Sequence, residues 1–224
     1  LQNIYVKGIY SHLSCADEKN ALNPKSNAQL QKEKFKELLK LINVDNMQNI
    51  KIHLANSAGM ILGKDFHFDM VRIGLSMYGY EPLVNINEKL FLKPALFLKA
   101  KVTFVRTIEK GIGVSYGNKF VCARRTKLAV LSIGYADGII RNLSGKISVI
   151  HNKKLYPQVG SITMDQMMVD ITDSSDVKVG STMLLLGSEG DKSISPIDWA
   201  HKCNSIPWEI LCSFKNRLPR VQVD

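Results

Sequence analysis

The sequence predicts an α/β segment built of parallel βα units, followed by a mostly-β domain. Three observations carry this. Strand-like and helix-like segments alternate over the first third of the chain, and the turns joining them are short. After Glu81-Pro82 the pattern changes to successive strand-like runs with one helix among them.

Residues 4–10 (Ile-Tyr-Val-Lys-Gly-Ile-Tyr) read as a strand that ends at Ser11-His12-Leu13-Ser14. Residues 15–25, with Asp17, Glu18, Asn20, Asn23 and Pro24, read as a loop. Ser26-Asn27-Ala28-Gln29 fits a capping box, and Phe35, Leu38, Leu39 and Ile42 then fall on one helical face. A second strand over 50–55 runs into Asn56-Ser57-Ala58-Gly59-Met60-Ile61-Leu62, a short helix closed by Gly63. In the third strand, within 68–79, Val71, Ile73, Leu75 and Met77 alternate with Arg72, Gly74, Ser76 and Tyr78. These units look like part of a larger sheet or barrel. The first domain is expected over residues 1–90 and the mostly-β domain over 91–224. Strand-like runs in the latter cover 95–107, 127–133, 146–151, 166–171 and 182–187. The single helix expected there is Pro196–Cys203, with Ser195 as cap and proline at its first position.

Bulk properties narrow the function. A hydrophobic content of 45% is that of a soluble globular protein, and no apolar run approaches a membrane span. The chain opens on Leu1 without a secretory leader, as though a strand were entered from upstream, so a cut or processed piece is expected. The net charge of +10 is spread along the sequence without an aromatic-interleaved basic motif. A solvated basic surface, or an anionic small-molecule ligand, explains it better than nucleic acid. The four cysteines lie far apart with no CxxC pair, which suits reduced thiols in a cytosol. The five histidines show no HxxxH spacing, so no metal is expected.

Candidate chemistry gathers at the strand ends. A guanidinium cannot shed its proton, so a buried Arg72 needs a partner or ligand, and Gly74 would let a group approach the backbone. The alternative is an edge strand with Arg72 in solvent and Gly74 at a bulge. In parallel βα architectures His12, Asn56-Ser57 and the 72–75 segment would point the same way, toward the ligand side. Ser57 and the amide of Ala58 at a helix start form an anion site, and Gly74-Leu75 could complete a phosphate cup. Singly, a histidine such as His12 or His53 is more often a satisfied sheet-edge residue than a ligand, and a serine such as Ser57 is more often a cap than a functional group; it is their conjunction that points to a site. Gly111-Ile112-Gly113-Val114-Ser115-Tyr116-Gly117 is not a dinucleotide fingerprint. It exposes Tyr116 on a tight turn, where the phenol is either a base favoured by its neighbours or a cover over a core edge. Gly134-Tyr135-Ala136-Asp137-Gly138 and Thr163-Met164-Asp165-Gln166 are two further polar turns, and Ser57 lacks the elbow of a serine hydrolase.

Eight segments in order (GIYSHLSCADE, HLANSAG, FDMVRIGLSMYGYEP, LKPALFLKAKV, GVSYG, IGYADGIIRNLS, TMDQMMVDIT and IPWEILC…NRLPRV) resemble the alanine racemases, bacterial pyridoxal-phosphate enzymes. The resemblance covers essentially the whole chain. It implies the last part of a TIM-type βα barrel followed by a β-rich domain, the cofactor pyridoxal 5'-phosphate, an amino-acid substrate, and a head-to-tail homodimer with shared active sites. By the same resemblance His12 lies beside the pyridine ring, and Ser57 with the backbone of Gly74 and Leu75 holds the phosphate. Arg72 faces the ring nitrogen and is oriented by His53. Tyr116 is the base for the L-isomer, reaching into the other subunit, and the Met164 backbone seats the substrate carboxylate. Tyr135, Asp17 and Arg141 stand near the entry corridor, with Asp165 beside them in the same motif. Ser161 stands where the family usually has arginine, and Asn216 where some members place a phosphate-binding tyrosine. No residue here matches the Schiff-base lysine, so this chain is expected to need a missing N-terminal barrel segment. The implied function is interconversion of L- and D-alanine for peptidoglycan. A racemase of serine or another amino acid, and a truncated non-catalytic paralogue, are the alternatives.

Overall fold

The structure, a computed structural model, describes residues 3–44, 47, 49–82 and 91–223. Residue 90, where the sequence places the end of the first domain, lies outside them. The chain divides into two compact units, Leu1–Ala95 and Leu96–Asp224.

The first unit contains β1 (Gly8–Tyr10), α1 (Asn27–Leu41), β2 (Lys51–His53) and α2 (Ser57–Leu62). β1 and β2 pair in parallel, with Tyr10 opposite His53. Ser26 caps α1: its hydroxyl accepts the Gln29 N–H at 3.2 Å and donates to the Ala21 carbonyl at 2.7 Å. The buried face of α1 is Ala28, Lys32, Phe35 and Leu39, whereas Leu38 and Ile42 stay exposed. The apolar stripe is therefore narrower than its spacing suggests, and a lysine stem completes it. Lys32 keeps its charge served there by Glu33 at 3.7 Å and by the Phe66 ring, whose centroid is 4.7 Å away. Asn56 caps α2 through the Gly59 N–H at 2.9 Å and ties it to the Leu13 carbonyl at 3.2 Å.

The third strand expected within 68–79 does not form. Phe68 has φ +53° and makes one isolated bridge with His53. The Asp69 carboxylate accepts the Ile52 N–H at 2.8 Å, taking a donor that a ladder would need. Asp69 and Arg72 N–H still reach the Ile52 and Ala55 carbonyls at 2.9 Å each. From Leu75 the chain winds into a 3-10 turn, Leu75–Tyr78, so Leu75 is buried while Met77 is 71% exposed. Gly74 is accordingly not at a bulge.

The second unit comprises β3 (Leu98–Ile108), β4 (Gly113–Val114), β5 (Phe120–Val121), β6 (Thr126–Leu131) and β7 (Ser148–His151). It continues with β8 (Lys154–Val159), β9 (Met167–Asp170), β10 (Thr182–Glu189), β11 (Lys192–Ile194), α3 (Pro196–Cys203) and α4 (Pro207–Ser213). The main sheet runs β11-β10-β3-β6-β9-β8-β7, and β7 also pairs with β10 through Ile150 and Leu184. All of these pairings are antiparallel, and the β7–β10 pairing closes β10, β3, β6, β9, β8 and β7 on themselves, leaving β11 as the terminal strand. The core alternates inward along the strands through Leu131, Val149, Met167, Val169, Met183 and Leu185. The expected cap of α3 forms as a full capping box between Ser195 and Asp198. Four features were not expected. β8 carries Pro157, which argues against a strand. The β4–β5 hairpin and β11 are too short to show alternation. α4 hides its face in two buried residues, Ile210 and Leu211, so Pro196–Cys203 is not the only helix of this unit.

Candidate functional site

Arg72 is the centre of the first cluster. Its Nη1 donates to His53 Nδ1 at 2.7 Å and to the His53 carbonyl at 3.3 Å. Its Nη2 reaches the Ser11 carbonyl at 2.8 Å, the Leu54 carbonyl at 3.1 Å and His12 Nδ1 at 3.2 Å. A guanidinium can only donate, so in this geometry both histidines present a Nδ1 lone pair and carry their proton on Nε2. Burial, and next the Arg72 charge, hold the His53 imidazole below its ordinary pKa of 6.5. Tyr10 completes the group: its ring stacks on His53 with centroids 5.2 Å apart and lies 5.2 Å beneath the guanidinium carbon. Arg72 is thus neither a solvent-facing edge residue nor a lone buried charge.

Beside it, Ser57 is buried at the start of α2. Its Oγ accepts the Gly74 N–H at 2.9 Å and the Ser76 N–H at 3.4 Å. Both bonds use oxygen lone pairs, so the hydroxyl proton remains available to a ligand. A Cβ placed on Gly74 would meet only Ser57 Oγ, at 3.9 Å, which leaves that face open. Among the described residues the buried Ser76 Oγ has no partner. The structure therefore brings His12, His53, Arg72, Ser57, Gly74 and Leu75 to the ends of β1 and β2 and the start of α2. Asp17 lies apart, exposed in the 15–25 loop.

The second unit assembles its own group from turns. Tyr116 is 72% exposed on a 3-10 turn flanked by Ser115 at φ +66° and Gly117 at φ +73°. The turns bearing Tyr135 and Met164 interlock, since the Tyr135 and Ala136 N–H groups donate to the Thr163 and Met164 carbonyls at 2.9 and 3.0 Å. Asp137, buried, accepts the Gly134 N–H at 2.9 Å. Arg217 then joins both turns, with Nε 3.2 Å from Asp137 and Nη2 2.6 Å from Asp165. Arg141 is exposed on the following turn, which Ser144 ties to the Ile162 N–H at 2.9 Å. Asn216 is exposed.

Sequence reasoning missed Tyr10 and Arg217. Tyr10 sits opposite His53 in the parallel register, so a correct pairing of the two strands would have found it. Nothing local marks Arg217, whose acid partners lie 52 and 80 positions upstream in sequence, as the residue numbers show. Among the described residues no helix is long and apolar enough to cross a membrane. Among them, too, no group of three or more His, Cys, Asp or Glu could hold a metal ion. The four cysteines are unbridged.

The fold defines a class: parallel βα units followed by a β-rich domain. Family models match both parts, the alanine racemase N-terminal domain over residues 1–82 and the C-terminal domain over 95–222. The chain belongs to the alanine racemase family. It is 52% identical, over its full length, to an alanine racemase of Prochlorococcus marinus and 42% identical to one of Nostoc, covering 58% and 57% of those proteins. An alanine racemase from a D-cycloserine-producing Streptomyces lavendulae superposes with a TM-score of 0.86 at 34% identity, over 98% of this chain and 56% of that one. The Bartonella henselae alanine racemase, solved with covalently bound pyridoxal phosphate, gives 0.82 at 34% identity, over 99% and 58%. The chain thus spans a little over half the length of the relatives it matches.

Proposed function

We propose that these residues form part of a cytosolic, homodimeric alanine racemase that uses pyridoxal 5'-phosphate and supplies D-alanine for peptidoglycan. The observation that carries the reading is the pairing of an arginine held through both terminal nitrogens with an unspent serine hydroxyl at the strand ends. The residues present fit the cofactor. Ser57 offers its proton to a phosphate, and the open face of Gly74 leaves room for one beside the Leu75 backbone. His12 and Tyr10 offer flat faces to a ring.

Bound pyridoxal phosphate supplies a conjugated ring that draws electrons from the substrate Cα. Arg72 governs how strongly. Its terminal nitrogens are occupied by protein acceptors, and among the described residues its Nε–H has none, so that N–H would be the donor left for the ring nitrogen. It donates a hydrogen bond but never a proton, which limits charge spread into the ring and favours prompt return of the proton to Cα. His53 keeps the guanidinium in register.

Racemisation needs a base on each face of Cα. Tyr116, contributed by the neighbouring subunit, takes or returns the proton on the L face. The opposite base is a lysine that matches no residue of this chain, so we assign it to sequence outside these 224 residues, and the chain alone is expected to be inactive. The Met164 backbone seats the substrate carboxylate, its own carbonyl steadied by the Ala136 N–H. Tyr135, Asp165, Asp17 and Arg141 shape the approach.

The test combines this chain with the N-terminal portion of the protein and follows D-alanine formation from L-alanine together with the visible absorption of bound cofactor. Both should appear on mixing, and neither with the chain alone. A folded assembly that shows neither overturns the reading and favours a non-catalytic paralogue. Comparing kcat/KM on alanine, serine and lysine then decides the substrate.

A further inference from the structure

We propose that Ser161 is a positioning residue that sets where the Tyr116 phenol stands relative to the Met164 turn. The proposal rests on the reading of Tyr116 as the proton-transfer group and adds the element that places it. Ser161 is buried at 1% exposure and makes a reciprocal clasp with the Tyr116 turn. Its hydroxyl donates to the Tyr116 carbonyl at 3.0 Å, while its own carbonyl accepts the Ser115 hydroxyl at 2.7 Å. Two backbones are thereby joined at consecutive residues by two antiparallel hydrogen bonds, both made with serine hydroxyls.

The surroundings show why such a clasp is needed. Ser115 at φ +66° and Asn118 at φ +45° hold the turn in a backbone region that non-glycine residues rarely adopt, and such conformations persist only where the surroundings over-determine them. The preceding residue packs as closely as the clasp. Gly160 has φ +69°, and a Cβ on it would stand 2.8 Å from the Val114 carbonyl oxygen and 3.0 Å from Ser115 Cβ. Val114 is anchored in the β4–β5 hairpin opposite Phe120. On its other side Ser161 leads, three residues on, into Met164, whose turn is locked by the Tyr135 and Ala136 N–H groups. Ser161 is therefore the joint between the residue that handles the Cα proton and the one that seats the carboxylate. It fixes the Tyr116 backbone while leaving the side chain exposed and free to reach a substrate.

The experiment separates the clasp from the chemistry. In this chain, Ser161→Ala and Ser115→Ala each remove one half of the clasp, and amide hydrogen exchange over 113–119 should speed up by roughly tenfold in each. Unchanged exchange in both variants overturns the clasp. In the racemase completed with its N-terminal portion, Ser161→Ala should lower kcat by roughly ten- to a hundredfold, with KM within about twofold of the parent. It should also raise the kinetic isotope effect with α-deuterated L-alanine more than with α-deuterated D-alanine, because only the Tyr116 face is misplaced. Unchanged kinetics in Ser161→Ala, with Tyr116→Phe inactive, overturns the positioning role and leaves the functional reading intact. A fully active Tyr116→Phe removes that reading, and this inference falls with it.

Discussion

The two groups of candidate residues, one in each unit, are built on opposite plans. Around Arg72 the functional side chains hold one another: guanidinium, two imidazoles and a phenol ring interlock, and the backbone contributes carbonyls to them. Around Tyr116 and Met164 the backbone is what is held, by turn-to-turn bonds and by the Ser161 clasp, while Tyr116, Tyr135 and Met164 project at 72%, 43% and 54% exposure. A ring that must stay put against a cofactor benefits from side chains with no freedom left. A group that must reach a substrate needs a rigid base and a free arm.

Substitutions that exchange the plans should break the contrast most sharply. A methyl group at Gly134 would fall on the Thr163 and Met164 carbonyl oxygens, so Gly134→Ala forces the two turns apart. A loss of about 3 kcal/mol in urea unfolding is expected, with substrate binding weakened. Next comes Arg72→Ala, which strands the Ser11, His53 and Leu54 carbonyls. It should cost about 2 kcal/mol in unfolding and, in the racemase completed with its N-terminal portion, abolish cofactor retention, read by absorbance after dialysis. Arg72→Lys, a point charge without the fork, should recover only part of either.

Acid should act on the Arg72 group more than on the Tyr116 group. The folded-state pKa of His53 is held below its ordinary 6.5, so the unfolded chain takes up a proton before the folded one does. That contribution to stability is fully present above pH 6.5 and is lost as pH falls from there toward the lower folded value. His53→Gln should flatten this acid limb, and an unaltered slope in denaturation between pH 7 and 5 would count against the assignment. The smallest effect on stability belongs to Gly74→Ala, since its Cβ meets nothing closer than 3.9 Å. A change within about 0.5 kcal/mol is expected, together with weaker retention of pyridoxal phosphate in the racemase completed with its N-terminal portion, measured by cofactor titration. A large loss of stability there would show that the open face is structural.

Much of this was legible in the chain. Alternation and capping residues located β1, β2, both helices of the first unit, β3, β6, β7, β9, β10 and α3, each by local spacing. The third strand failed because an aspartate side chain and a left-handed Phe68 displaced the ladder that the alternation of Val71, Ile73, Leu75 and Met77 promised. β8 failed because Pro157 masked it. At the site, the residue types at the strand ends and turns were readable, and their number in one order marked the family.

By itself the sequence determined the order of elements, the family and the residues that could carry chemistry, because periodicity, caps and motifs are written within a few positions of one another. Only the tertiary structure decided who meets whom. The hydrogen-bond partners of the Arg72 guanidinium lie 18 to 61 residues away, and the Ser161 clasp closes across 45. Pairings over such distances follow from strand register and turn geometry in the folded chain, which no local pattern encodes.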